Sequence, residues 1–239
     1  MTIKQADFHF EKGELILIDK PVDWTSFDVV NFIRSLIKRL HQIHKLKVGH
    51  AGTLDPLATG LLIICTGKMT KQIQHFQDQP KVYTGTFRLG ETTPSYDRET
   101  AVDSQFPTAH ITAEMLEKAR QQFLGIQQQV PPAYSAIKVD GKRAFSYARA
   151  QKEVKLVSRE VEIYKFEIDA KSFPEIEFLV HCSKGTYIRS LAYDFGKAVD
   201  SGAYLTSLIR TQIGDYSVKD AVSPEDYKAI LMSSNSLEI

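Results

Sequence analysis

A chain of 239 residues can bury a sizeable core, as one large domain or two small ones. Its 43% hydrophobic, 25% charged and 10% aromatic residues are the proportions of a folded globular protein, which sets aside disordered, collagen-like and membrane-embedded classes. The net charge of +1 announces no nucleic-acid partner by its total, so such a partner would have to be met by local clusters acting within a Debye length of about 8 Å.

The first residues, MTIKQADFHFEKGE, are polar and mixed in charge with no apolar stretch of a targeting signal, and the longest apolar run, Leu61–Cys65, is far too short to span a membrane. A cytoplasmic location is expected. In chain order, residues 13–18 predict a short strand that turns at Asp19-Lys20-Pro21. Thr25 and Ser26 can cap a helix whose apolar positions Val29, Val30, Phe32, Ile33, Leu36, Ile37 and Leu40 keep helical spacing. From Val48 to Gly60 periodicity stops, and VGHAGTLDPLATG reads as a structured loop feeding a buried strand at Leu61–Cys65.

A short helix is expected near residues 70–76, then a strand over 82–89 with Tyr83, Phe87 and Leu89 on one face. Residues 91–107 form a polar loop, and Thr112 caps a helix that runs to Phe123 and stops at Gly125. Pro131–Ala150 reads as an excursion from the core: a Pro-Pro turn, a hairpin around Asp140-Gly141 and a basic helix. Strands at 161–168, 176–182, 204–209 and 213–218 follow, interrupted by a helix over 187–199. Strands and helices mix without a regular βαβ repeat or a phosphate-binding glycine motif. The fold class is therefore α+β, with a mixed, mostly antiparallel central sheet and flanking helices.

Cys65 and Cys182 lie far apart in apolar strands and read as reduced core thiols, while the histidines show no zinc-type spacing, so no metal is expected. Three segments carry candidate chemistry. Asp55 is an acid in a loop dense with glycine, where backbone is held in places that side chains do not fit; an ordinary Asp-Pro turn is the competing reading. The segment VHCSKGTYIR is a strand, tight turn and helix start presenting Tyr187 and Arg189, where Arg189 could equally meet only a surface carboxylate. Lys81-Val82-Tyr83 sets an aromatic on a strand beside a cation, a pattern also compatible with plain core packing. Two basic clusters complete the set, Lys38 to His50 and Lys138, Lys142, Arg143, Arg149, Lys152 and Lys155; each could be no more than a solvated face.

Together the segments LIDKPVDWTSFDVV, VGHAGTLDPLATGLLI, KVYTGTFRLG, PPAYSAIKVDGKRAFSYAR and VHCSKGTYIRSLAYDFG resemble the successive motifs of the TruB family of pseudouridine synthases, in that family's order and over most of residues 13–215. The resemblance implies an isomerase that converts the T-loop uridine at tRNA position 55 to pseudouridine, without cofactor or metal. It implies that Asp55 is the catalytic aspartate, Tyr83 the tyrosine stacking on the target base, Tyr187 the active-site tyrosine and Arg189 the arginine paired with the aspartate. Leu208 is similar to a leucine lining the uracil pocket and His50 to a histidine filling the space left by flipped nucleotides. Lys20, with Pro21, resembles the family's N-terminal motif, which implies a structural role, and it is also counted among the substrate-binding residues. The excursion, near residues 127–152, looks like the family's RNA-gripping thumb, with Lys138, Lys142, Arg143 and Arg149 toward RNA.

Three positions depart from the family pattern: Asp23 stands where glycine is usual, Phe145 where tyrosine is usual, and Gln151 where glycine often occurs. The chain stops soon after Val222, which implies one catalytic domain over 1–239 and no C-terminal PUA-type domain. The expected partner is the tRNA T-arm, with no membrane, no obligatory protein partner and a monomeric state. Rival readings are a non-catalytic tRNA-binding or folding module, which has no use for Asp55, Tyr83, Tyr187 and Arg189 together, and a related synthase acting on another RNA. A glycoside hydrolase would need a second placed carboxylate about 5–10 Å from the first, and no second motif acid is evident.

Overall fold

The computed structural model describes residues 8–150, 152 and 154–235. In chain order they form β1 (Leu15–Lys20), α1 (Ser26–Leu40), β2 (Val48–His50), β3 (Thr59–Thr66), α2 (Ile73–Asp78), β4 (Lys81–Leu89), β5 (Glu91–Thr92), β6 (Ser104–Gln105), α3 (Ala113–Gln122) and β7 (Gly125–Gln129). Then come β8 (Lys138–Val139), β9 (Lys142–Arg143), α4 (Ala144–Arg149), β10 (Arg159–Asp169), β11 (Glu175–Cys182), α5 (Ile188–Ala198), β12 (Ala203–Ile213), β13 (Tyr216–Ser217) and α6 (Pro224–Asn235). The sheet is mixed and mostly antiparallel with helices flanking it, as the residue pattern predicts. Among the described residues no helix is long and apolar enough to cross a membrane.

The chain divides into two compact units, one made of the residues up to Lys81 together with those from Ile209 onward, the other of Val82–Leu208. In the first, β3 pairs antiparallel with β1 and β2, and parallel with the end of β12, where Ile209 faces Thr59 and Arg210 faces Gly60. Alternation along β3 fills two cores. Leu62 and Ile64 pack with Val29, Ile33 and Ile37 of α1 and Tyr227 and Leu231 of α6, whereas Leu61, Ile63 and Cys65 pack with Ala51, Phe76 and Ile213. α1 starts on a capping box: the Thr25 hydroxyl accepts from the Asp28 amide at 3.0 Å, and the Asp28 carboxylate accepts from the Thr25 amide at 2.8 Å.

In the second unit β11, β10 and β7 run antiparallel in succession, with β4 beside β11. Phe195 of α5 is fully buried, 5.0 Å from the Phe87 ring and 5.8 Å from Phe166. Burying a side chain of this size stabilises by roughly 2–3 kcal/mol. Both cysteines are buried and free, in keeping with core thiols.

Several elements differ from the sequence-based expectation, among them the short paired strands β5 and β6 within residues 91–107, which read as a loop. Residues 125–129 are a strand paired with β10, which the residue pattern does not predict; Gln151 lies outside the described residues. The segment 204–209 is part of one strand that continues to Ile213, with Arg210 lodged inside. Val48–His50 is a short strand on β3 where loop was expected, and α6 was not anticipated.

Candidate active site

Asp55 is half-buried in the loop between β2 and β3, and its own carbonyl accepts the Ala58 amide at 3.1 Å, closing a turn. The loop backbone is pinned by side chains from three other elements. Buried Ser26, at the start of α1, donates its hydroxyl to the Leu54 carbonyl at 3.1 Å and accepts the Leu54 amide at 2.8 Å. Lys20, at the end of β1, is fully buried and donates its ammonium to the carbonyls of Pro21 (2.8 Å), Trp24 (2.6 Å) and Pro56 (3.2 Å). Arg210 of β12, also buried, donates Nε to the Leu61 carbonyl at 2.8 Å and Nη2 to the Gly52 carbonyl at 3.1 Å, gripping both sides of the loop.

Two backbone positions explain why the loop is glycine-rich. Gly52 has φ +108°, and Gly60 has φ +100° with so little room that a Cβ there would lie 2.4 Å from the Arg210 carbonyl oxygen. Asp23 has φ +65°, the left-handed region that glycine enters most freely and aspartate tolerates, and its amide donates to the Pro56 carbonyl at 2.9 Å.

Burial pulls the Lys20 ammonium down to about 8, with the Arg210 charge adding to the fall and the charges of Asp55 and Asp23 opposing it. The unfolded chain keeps this proton up to about 10.5, so between pH 8 and 10.5 the unfolded state binds more protons and stability rises with pH. Urea unfolding of wild type and Lys20→Met across this window should show a difference that shifts in favour of wild type as pH rises. A flat difference would mean that Lys20 holds its proton throughout. His50, at the entrance to the loop, is pushed below its ordinary value chiefly by burial, and the Arg210 charge acts in the same direction.

In the second unit Arg189 is buried near the start of α5, not on the surface. Its Nη1 donates to the Ser95 carbonyl at 3.1 Å, its Nη2 to the Tyr134 carbonyl at 2.9 Å, and its Nε lies 3.6 Å from the carboxylate of Asp97. The side chains of Arg189 and Asp97 are only 4% and 8% exposed, which rules out the weak surface pairing left open by the sequence. Tyr187 caps α5. The amide of buried Gln129 brackets its backbone, accepting the Tyr187 N–H at 2.7 Å and donating to its carbonyl at 3.0 Å, and the Arg159 guanidinium lies 4.4 Å from the centre of its ring. Tyr83 is half-buried on β4, and Leu208 is buried on β12.

The excursion is a small hairpin, β8–β9, followed by α4. Lys138, Lys142, Arg143 and Arg149 are all exposed on it, and Arg149 also pairs with Glu99 at 2.7 Å. Ser95, Asp97, Gln129, Tyr134, Arg159 and Arg210 escape sequence reasoning, and Ser26 enters it only as a candidate helix cap. Arg210 falls in the gap between the expected strands 204–209 and 213–218, which β12 spans.

The family model of the TruB family pseudouridylate synthase (N terminal domain) matches residues 38–188. The chain is 56% identical to the tRNA pseudouridine synthase B of Flavobacterium johnsoniae, over 88% of this chain and 93% of the relative. It is 52% identical to that of Phocaeicola vulgatus, over 92% and 93%. Among solved structures, one of a Cbf5-Nop10-Gar1 complex superposes with a TM-score of 0.67 at 24% identity, covering 92% of this chain and 55% of that chain, a likeness of fold.

Proposed function

Because the chain belongs to the TruB family of pseudouridylate synthases, we propose that it isomerises the T-loop uridine of tRNA, at position 55, to pseudouridine with Asp55 as the reacting carboxylate. The observation that carries this reading is the half-buried Asp55 on a loop whose backbone is fixed by Ser26, Lys20 and Arg210. A group that must meet one carbon of a bound nucleotide gains most from a backbone that does not reorganise.

The reaction breaks the N1–C1′ bond, turns the uracil in place and joins its C5 to C1′, so atoms and electrons balance within the substrate and no cofactor is required. Asp55 either attacks C1′ or takes a proton from C2′; both routes use the carboxylate in its ionised form. The detached uracil is retained by stacking on Tyr83 and by the apolar side chain of Leu208. Tyr187, its backbone set by Gln129, removes the C5 proton at the end. Arg189 serves the same reaction as a fixed cation, and His50, whose charged form burial disfavours, fills the space of nucleotides flipped out of the T-loop. Lys20 acts through the loop it holds, since its buried ammonium is given to three carbonyls.

The thumb supplies phosphate contacts to the T-arm through Lys138, Lys142, Arg143 and Arg149, and the enzyme works as a cytoplasmic monomer. Replacing Lys138 and Lys142 by alanine should raise KM and flatten the salt dependence of tRNA binding by roughly 0.7–0.9 slope units per lost contact. An unchanged slope would reduce the cluster to a solvated face. The reading as a whole is tested by incubating the purified chain with an unmodified tRNA transcript and mapping pseudouridine by carbodiimide treatment and primer extension. A stop at position 55 is expected; tRNA binding without modification would favour a non-catalytic tRNA module instead.

A further inference from the structure

Ser95 and Asp97 both hold Arg189, and the residue between them, Tyr96, is one of the few non-glycine residues in the left-handed region, with φ +62°. A bulky L side chain bears strain there and stays only where its surroundings over-determine it. The Tyr96 amide donates to the Thr93 carbonyl at 3.1 Å, and its carbonyl accepts the Leu205 amide at 2.9 Å. Its ring lies against that of Tyr193, with centroids 3.9 Å apart and planes 14° from parallel. Burial, with the Tyr193 neighbour adding to it, pushes the Tyr96 phenol up to about 12, so the ring stays neutral at assay pH.

Tyr193 follows Arg189 by four residues on α5, one turn along the same face. That face therefore grips three consecutive residues at once: Arg189 takes 95 and 97, and Tyr193 takes 96. Lys197, a further turn on, places its ammonium 5.4 Å from the Tyr193 ring.

We propose that Tyr96 and Tyr193 are positioning residues, a stacked clasp that holds the strained 95–97 segment so that Asp97 and the Ser95 carbonyl fix the Arg189 guanidinium for the reaction. This rests on the role given to Arg189 above. Without the Tyr193 ring the left-handed turn at Tyr96 relaxes, carrying both neighbours away from Arg189.

Single-turnover rates on tRNA, filter-binding constants and melting temperatures for Tyr193→Ala, Tyr193→Phe, Tyr96→Gly, Arg189→Lys and the Tyr193→Ala/Arg189→Lys double variant test the clasp. Tyr193→Ala should slow the single turnover about fivefold or more with tRNA affinity within about twofold of wild type, and Tyr193→Phe, which keeps the stack, should restore the rate. The double variant should be no slower than Arg189→Lys alone, because both changes act on one group. Tyr96→Gly, which removes the ring and takes the turn without strain, should slow the reaction as Tyr193→Ala does, and it serves if that variant fails to fold. A wild-type rate in Tyr193→Ala beside a slow Arg189→Lys would overturn the clasp alone, as would losses that multiply in the double variant. A wild-type rate in Arg189→Lys would remove the catalytic role of Arg189 and the clasp with it.

Discussion

Asp55→Asn is expected to bind tRNA about as tightly as wild type and to form no pseudouridine, a loss of at least about a thousandfold in single-turnover rate. Asparagine has the shape of aspartate, and the loop backbone is held by the Ser26 hydroxyl, the Lys20 ammonium and the Arg210 guanidinium on main-chain groups. What the amide lacks is the negative charge that makes a carboxylate oxygen nucleophilic enough to attack C1′ or basic enough to take the C2′ proton. One further effect follows, because the Asp55 charge supports the Lys20 ammonium. Without it the proton on Lys20 should be lost at still lower pH, moving the stability gain of the alkaline range downward. Turnover by an Asp55→Asn sample free of host enzyme would refute the proposed chemistry.

Arg189→Lys should lower the single-turnover rate at least about tenfold, equivalent to roughly 1.4 kcal/mol of transition-state stabilisation, with tRNA affinity changed far less. The guanidinium donates to two separate carbonyls, those of Ser95 and Tyr134, through its two terminal nitrogens, while its Nε lies 3.6 Å from the Asp97 carboxylate. A lysine has a single rotating head and cannot span them, so the change strips partners from a buried site. The melting temperature should fall as well, and rates belong at a temperature where both proteins are folded. Equal rates in the two proteins would return Arg189 to a purely structural role.

Much of the fold is legible in the sequence where periodicity is strong. The apolar stripe of α1 and its Thr25 cap, and the unbroken run of β3, announce themselves because both are buried as their patterns demand. β7 does not. Its GIQQQ is an edge strand in which Ile126 is 66% exposed and Gln129 is buried, the reverse of ordinary alternation, because Gln129 serves the Tyr187 backbone. α6 carried readable signals, Ser223 capping at 3.0 Å and Pro224 opening the helix, with Tyr227 and Leu231 four apart, but the expected pattern ended before them.

The candidate site is legible in the same uneven way. Asp55 stands out because glycine and proline crowd around it, and both glycines flanking the loop take left-handed angles. Asp97 sits in the polar stretch TTPSYDRET with no periodicity, and its meeting with Arg189 depends on the tertiary fold alone. Arg210 looks like an interruption in a strand until its guanidinium is seen on carbonyls of the Asp55 loop.

The three clamps on that loop come from widely spaced parts of the chain: Ser26 lies 28 positions from Leu54, Lys20 lies 36 from Pro56, and Arg210 lies 158 from Gly52. The first two can close early during synthesis, but the third waits until β12 has emerged and paired beside β3. In a refolding or ribosome-release experiment the amides where β12 pairs with β3, around Thr59, Gly60, Ile209 and Arg210, should therefore gain protection from hydrogen exchange late, after those of β1 and α1. Competence to modify RNA would then report completion of the longest of these three closures, and a nascent chain still lacking Arg210 would hold its aspartate on a loop tied only by Ser26 and Lys20.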